Sequence, residues 1–181
     1  MRIIAGLWRG SKIPVAAVCG LRPTSDRARE TLFNWLQTET AGSRVLDLFA
    51  GTGALGLEAA SRGAAEVDFV EQAAPAAKAL REAVLRLAGK EATHLRVHQA
   101  DAQRFLASSV GPWNLVFVDP PFAAGLWAEC LPLLAEKLAT RAHIYVESPV
   151  RTVPPVPLGW HLCREAVTRG VRFALYRVGA D

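Results

Sequence analysis

From about Arg44 onward, short runs rich in β-branched and aromatic residues alternate with longer runs rich in alanine and leucine. The short runs at 45–49, 66–71, 95–99, 115–118 and 144–147 predict strands, and the longer ones at 54–61, 75–87, 102–108 and 126–138 predict helices. Pro75 falls where a first-turn proline is tolerated, whereas Pro132 is expected to kink or interrupt its helix. Strands and helices alternating at these lengths build a parallel sheet covered on both faces. The end of the chain breaks the rhythm. Runs at 160–167 and 171–178, joined around Arg169-Gly170 and entered through the proline-rich stretch 153–157, predict an antiparallel hairpin. The pattern as a whole predicts a doubly wound α/β domain of seven strands with one antiparallel edge.

The first forty residues follow another pattern. Short apolar pieces around Ile3-Ile4 and Ile13-Pro14-Val15 flank a basic turn, Trp8-Arg9-Gly10-Ser11-Lys12. Thr24-Ser25-Asp26 then offers side-chain oxygens for the amino end of a helix running to about Gln37, with Ala28, Leu32, Trp35 and Leu36 on one face. That face is expected to dock on the sheet, leaving Arg27 and Arg29 directed elsewhere. We therefore divide the chain into a basic extension, 1–40, and an α/β domain, 41–181.

Composition narrows the function. The chain has 181 residues, 51% of them hydrophobic, enough for one full core. No apolar run reaches the roughly 18 residues that span a bilayer, and 1–7 lacks the apolar stretch of a signal peptide. Cys19, Cys130 and Cys163 are far apart and show no ligand spacing, so reduced thiols, a cytoplasmic setting and no metal are expected. His94 and His98 flank a strand-like run, so their side chains need not converge. The net charge of +4 decides little, but its distribution says more. Arg2, Arg9, Lys12, Arg22, Arg27 and Arg29 crowd the first thirty residues against only Asp26 and Glu30, a cluster suited to phosphate contacts. A solvated basic face would carry the same charges.

Candidate chemistry sits at the ends of the predicted strands. Asp47-Leu48-Phe49-Ala50-Gly51-Thr52-Gly53-Ala54-Leu55-Gly56 lies where the first strand turns into its helix, and Gly51 and Gly53 allow close approach of a ligand. The spacing matches the dinucleotide fingerprint, yet the acids around it point elsewhere. Asp47 precedes the loop, Glu71 ends the second strand, Asp101 follows the third, and Asp119 follows the fourth. Such acids converge on one crevice at the switch point of an α/β sheet. An ammonium, a sulfonium, a ribose and an adenine all prefer acceptors, so S-adenosylmethionine fits better than a pyrophosphate-bearing cofactor. The expected cofactor site is Asp47, Phe49, Gly51, Gly53, Glu71, Asp101 and Ala102.

Asp119-Pro120-Pro121-Phe122 completes the reading. Neither proline carries an N–H and each fixes φ near −65°, so the turn holds one shape with its carbonyls outward. A carboxylate beside a carbonyl accepts both hydrogens of a planar NH₂ group, and the aromatic ring can stack on the heterocycle bearing it. This is a shelf for an exocyclic amine that is to be alkylated.

With these motifs the chain is similar to class I S-adenosylmethionine-dependent amino methyltransferases, which are Rossmann-like. More narrowly, it resembles the RsmD family of 16S ribosomal RNA guanine-N2 methyltransferases. The resemblance is carried by Arg2-Ile3-Ile4-Ala5-Gly6-Leu7-Trp8-Arg9-Gly10, by 20–35 with its Leu21-Arg22-Pro23-Thr24 and Arg29-Glu30-Thr31-Leu32-Phe33, by 47–60, by 118–122 and by Tyr145-Val146-Glu147-Ser148. It implies methyl transfer to one guanine of 16S ribosomal RNA within the small subunit; separately, a monomer is expected. Gly51, Gly53, Glu71 and Asp101 would contact the cofactor, Asp119 to Phe122 would hold the base, and Arg9, Lys12, Arg22, Arg27 and Arg29 would contact RNA. The shelf alone also admits adenine or cytosine in DNA or a glutamine side chain, and an RNA-binding assembly factor is the non-enzymatic alternative.

Overall fold

The alternating runs pair into a single sheet. In the computed structural model, which describes residues 1–14, 26–90, 92–168 and 170–179, it consists of β1 (Arg44–Asp47), β2 (Glu66–Glu71), β3 (Leu95–Gln99), β4 (Trp113–Val118), β5 (Leu138–Pro149), β6 (Trp160–Thr168) and β7 (Val171–Val178). The order across the sheet is β3-β2-β1-β4-β5-β7-β6. The first five strands are mutually parallel, and β7 runs antiparallel to both β5 and β6. The chain steps outward from β1 to β3, then returns to place β4 on the other side of β1. Loops leaving β1 and β4 therefore diverge and open a crevice at the carboxyl end of the sheet.

Helices α1 (Asp26–Trp35), α2 (Ala54–Ser61), α3 (Ala74–Ala88), α4 (Ala102–Ser108) and α5 (Trp127–Ala135) cover the two faces. Because strand side chains alternate, odd and even positions feed separate cores. Val45, Phe69, Leu115, Phe117 and Tyr145 meet Leu32 and Phe33 of α1, Leu57 of α2 and Leu80 of α3. Leu46, Val70, Val116, Val118 and Val146 meet Leu106 of α4 and Leu131 and Leu134 of α5. Ile3 and Ile13 belong to the first core, so the amino-terminal extension is packed into the domain. No helix among the described residues is long and apolar enough to cross a membrane.

The predicted seven-stranded, mostly parallel sheet is the one observed, with four differences of detail. β1 ends at Asp47 rather than at Phe49, because Leu48 and Phe49 already turn toward the glycine loop. α5 stops at Ala135, running through Pro132, and Leu138 opens a long β5 instead of closing a helix. The start of β5 pairs with Trp113, after which the register jumps so that Leu115 faces His143, with Arg141 in a left-handed conformation at φ 64° between them. The hairpin also places its antiparallel strand β7 inside the sheet, leaving β6 as the edge.

The largest difference is Arg29. The sequence pattern puts it outside, but it is fully buried. Its Nη2 donates to the Arg2 carbonyl at 2.7 Å and to Asp26 Oδ1 at 2.8 Å, and its Nη1 lies 3.6 Å from Glu58 Oε2, itself fully buried. Arg29 is a pin between α1, the first strand-like segment and α2. It does not reach a phosphate.

Candidate active site

The four acids expected at the crevice do occupy the carboxyl ends of β1 to β4, and the backbone explains why each is held there. Gly51 and Gly53 turn the chain at φ 52° and 75°, values that side chains resist. A side chain on Gly53 would also strike Leu80, with a Cβ 2.3 Å from its Cδ1. The turn aims the amino end of α2 into the crevice. Asp47 is buried and its Oδ2 accepts from the Gly56 N–H at 2.9 Å. Burial pushes its carboxyl up from 3.8 to about 7; the Gly56 N–H opposes that and the nearby Glu71 charge adds to it. An acid poised in this way gains most from a cation placed beside it.

Glu71 ties the glycine loop to β2. Its Oε2 accepts from Gly51 N at 2.8 Å and its Oε1 from Ala73 N at 2.7 Å. A carboxylate has about four lone-pair sites, so two acceptor positions are left for hydroxyl groups. Asp101 caps α4, its Oδ1 accepting from Gln103 N at 3.0 Å and Arg104 N at 3.1 Å. Ala102 is buried at the first turn of that helix, and Phe49 is half-buried against the second core. The set is rich in acceptors, which fits a cationic nucleoside such as S-adenosylmethionine.

The shelf follows β4. Asp119 is half-buried, Pro120 is buried, Pro121 is exposed and Phe122 is half-buried. One expectation is corrected: the Pro121 carbonyl does not face outward but accepts from Ala124 N at 2.9 Å, closing a short 3-10 turn over Phe122–Ala124. The acceptors that serve an amine are thus the Asp119 carboxylate and the Pro120 carbonyl. The Phe122 ring packs on Trp127, centroids 6.1 Å apart, and Trp127 Nε1 donates to the Glu147 carbonyl at 3.0 Å. Tyr145 hydroxyl donates to Glu147 Oε1 at 2.6 Å. Burial raises the Tyr145 hydroxyl well above its ordinary range, with further contributions from Glu147 and from the charge of Asp119.

The expected RNA contacts separate. Arg9, Lys12 and Arg27 are exposed, Arg29 is the buried pin described above, and Arg22 lies outside the described residues. Arg9 and Lys12 sit on a segment bolted to the side and far end of α2. Glu58 accepts from Ile4 N at 2.7 Å and Ala5 N at 3.0 Å, and Ser61 Oγ accepts from Trp8 N at 2.9 Å. This anchorage was not anticipated, although Glu58 within the apolar run of α2 was a signal that a buried partner awaited it. Asp68 was missed as well. It accepts from Arg96 Nε, His98 Nε2 and Trp113 Nε1, which hold it well below the ordinary carboxylate range against the opposing effect of burial. His94 is exposed and does not join His98. Two hollows of about 370 and 360 Å³, lined by Glu39, Arg141, His143 and Arg177 and by residues around Asp68 and Trp113, contain none of the crevice residues.

Known proteins are similar to nearly the whole chain. The family model described as conserved hypothetical protein 95 matches residues 1–177. Ribosomal RNA small subunit methyltransferase D of Escherichia coli K12 is 48% identical over 180 residues, 98% of this chain and 89% of that protein. The protein of the same name from Haemophilus influenzae is 40% identical over 98% of this chain and 93% of its own length. The solved structure of Escherichia coli yhhF superposes with a TM-score of 0.89 at 47% identity, covering 100% of this chain and 99% of that one. An RNA methyltransferase from Salinibacter ruber, solved in complex with S-adenosyl-L-homocysteine, shares the fold with a TM-score of 0.65 at 15% identity, over 88% of this chain and 95% of its own.

Proposed function

The chain belongs to the conserved hypothetical protein 95 family, and from that membership we propose that it is an S-adenosylmethionine-dependent methyltransferase that alkylates the exocyclic N2 amine of one guanine in small-subunit ribosomal RNA. The observation that carries the reading is the rigid Asp119-Pro120 shelf beside a crevice lined with the acceptors Asp47, Glu71 and Asp101. A bare RNA-binding factor has no need of either.

When bound, S-adenosylmethionine supplies an electrophilic methyl group. Asp47 would meet its cationic end, Glu71 would take ribose hydroxyls, and Asp101, through the oxygen that does not cap α4, would accept from the adenine amine. The guanine N2 lone pair is delocalised into the ring, which makes it a poor nucleophile. Asp119 and the Pro120 carbonyl bind its two hydrogens and favour a pyramidal nitrogen with its lone pair directed at the methyl. As the N–CH₃ bond forms, the S–CH₃ bond would break and release S-adenosylhomocysteine, and the half-buried Asp119 would stabilise the positive charge growing on the nitrogen. Holding the two reactants in line contributes up to about 7–11 kcal/mol. No strong base is required, since the methylated ammonium is acidic enough to shed its proton. The base must leave its stack to arrive, and Phe122, braced by Trp127, receives it. We place the reaction on the assembled subunit, with Arg9, Lys12 and Arg27 on phosphates.

The test is Asp119→Ala. Turnover should be lost while cofactor affinity, measured by calorimetry, stays within about twofold, because Asp119 only binds a group made reactive in the transition state. Retained turnover sinks the assignment.

A further inference from the structure

The shelf accounts for the amine but not for the ring that bears it, since adenine and cytosine also present NH₂ groups. The bases differ at the ring nitrogen next to that amine. In guanine this nitrogen, N1, carries a hydrogen, whereas in adenine and cytosine it is a bare acceptor. A flipped base is read along this edge.

Glu147 stands where the difference can be read. Val118 and Val146 are register partners in β4 and β5. The residues that follow them, Asp119 just past β4 and Glu147 still within β5, therefore lie side by side on neighbouring parallel strands, which are about 4.8 Å apart. The charges of both are felt at one atom, the Tyr145 hydroxyl. Glu147 is fixed from two sides. Tyr145 donates to its Oε1 at 2.6 Å, and Trp127, the residue that braces Phe122, donates to its carbonyl at 3.0 Å. The ring that receives the base, its brace and the backbone that bears this carboxylate are thus linked beside Asp119. Glu147 is also only 6% exposed. A carboxylate so far out of water rewards a donor brought to it and strongly penalises an acceptor.

We propose that Glu147 is the specificity residue of the base site: its carboxylate accepts the guanine N1–H while Asp119 and the Pro120 carbonyl hold the N2 amine. This rests on the guanine-N2 reading above and adds to it a reason why guanine is chosen. Two carboxylates side by side demand an edge with donors at both positions, and guanine is the base that offers one.

The test uses small subunits reconstituted on ribosomal RNA in which the methylated guanosine is replaced by 2,6-diaminopurine riboside. That base keeps the N2 amine but has a bare N1. The wild-type protein should prefer guanine-bearing subunits by about 10- to 100-fold in kcat/KM, the worth of one hydrogen bond to a charged group. Glu147→Gln, whose amide can donate to a bare N1, should shrink that preference by about tenfold with cofactor affinity unchanged. An equal preference in the two proteins overturns the proposal and leaves Glu147 a structural residue. If Glu147→Gln fails to fold, Tyr145→Phe removes only the hydroxyl that fixes Oε1. It should move the preference in the same direction, and an unmoved preference there overturns the proposal equally. A wild-type protein that puts no methyl on guanine N2 removes the function proposed above, an outcome distinct from an active enzyme with an unaltered preference.

Discussion

Arg27 and Arg29 stand two places apart in α1 and have opposite fates: one is exposed, the other fully buried against Glu58. Arg29→Ala should cost about 3 kcal/mol in urea unfolding, the low end for breaking a buried pair, because Glu58 keeps Arg62 and two backbone N–H groups. It should leave the salt dependence of RNA binding alone, whereas Arg27→Ala should change that dependence and spare stability. The buried pattern was partly legible. Arg29 lies three residues before Leu32 and four before Phe33, inside the apolar stripe, but its partner is supplied by another helix. Asp47 carries a pH prediction. Its carboxyl sits near 7 in the fold against 3.8 ordinarily, so the folded protein binds that proton more tightly than the unfolded chain. The ligand-free protein should then lose stability as pH rises from about 4 through about 7. A cation beside Asp47 favours the ionised form, so cofactor affinity should rise over the upper part of that window. Asp47→Asn should flatten both trends. Affinity that is level between about pH 6 and 8 in the wild type contradicts the role given to Asp47.

Elements were read from the sequence where one period dominates a run. β2, β3, α2 and α4 fall where their patterns put them. β5 did not, because Arg141 in its left-handed conformation inserts an irregularity that no apolar period records, and because Leu138 satisfies a helix and a strand equally well. Nor could alternation say that β7 would slide between β5 and β6, a matter of pairing rather than of pattern. Close approach is likewise invisible in a pattern, and two glycines reveal it. A Cβ on Gly56 would lie 2.3 Å from the Phe69 ring, so α2 is set against β2 more closely than any other residue permits. A Cβ on Gly6, where φ is +81°, would lie 1.8 Å from the Ser61 carbonyl oxygen. Gly6→Ala should therefore unseat the amino-terminal segment from α2 at a cost above about 1 kcal/mol, read as a lower urea midpoint with unchanged cofactor binding. An unchanged midpoint would mean that the segment contributes nothing to the fold.

The molecule as a whole is organised around α2. One end of this 8-residue helix carries the glycine loop at the crevice, and its side and far end, about 12 Å along the axis, anchor the amino-terminal segment at Ala5 and Trp8. Log affinity should fall with log salt with a slope of about −0.7 to −0.9 per phosphate neutralised, and each of Arg9→Ala, Lys12→Ala and Arg27→Ala should reduce the slope by about 1. A slope untouched by all three would make these residues a solvated face. The most direct measurement of the central claim is methyl transfer from labelled S-adenosylmethionine to small subunits taken from cells lacking this protein, followed by nucleoside analysis. The proposed function predicts label in N2-methylguanosine of the small-subunit RNA. Label in any other nucleoside, or none despite cofactor binding, contradicts the account.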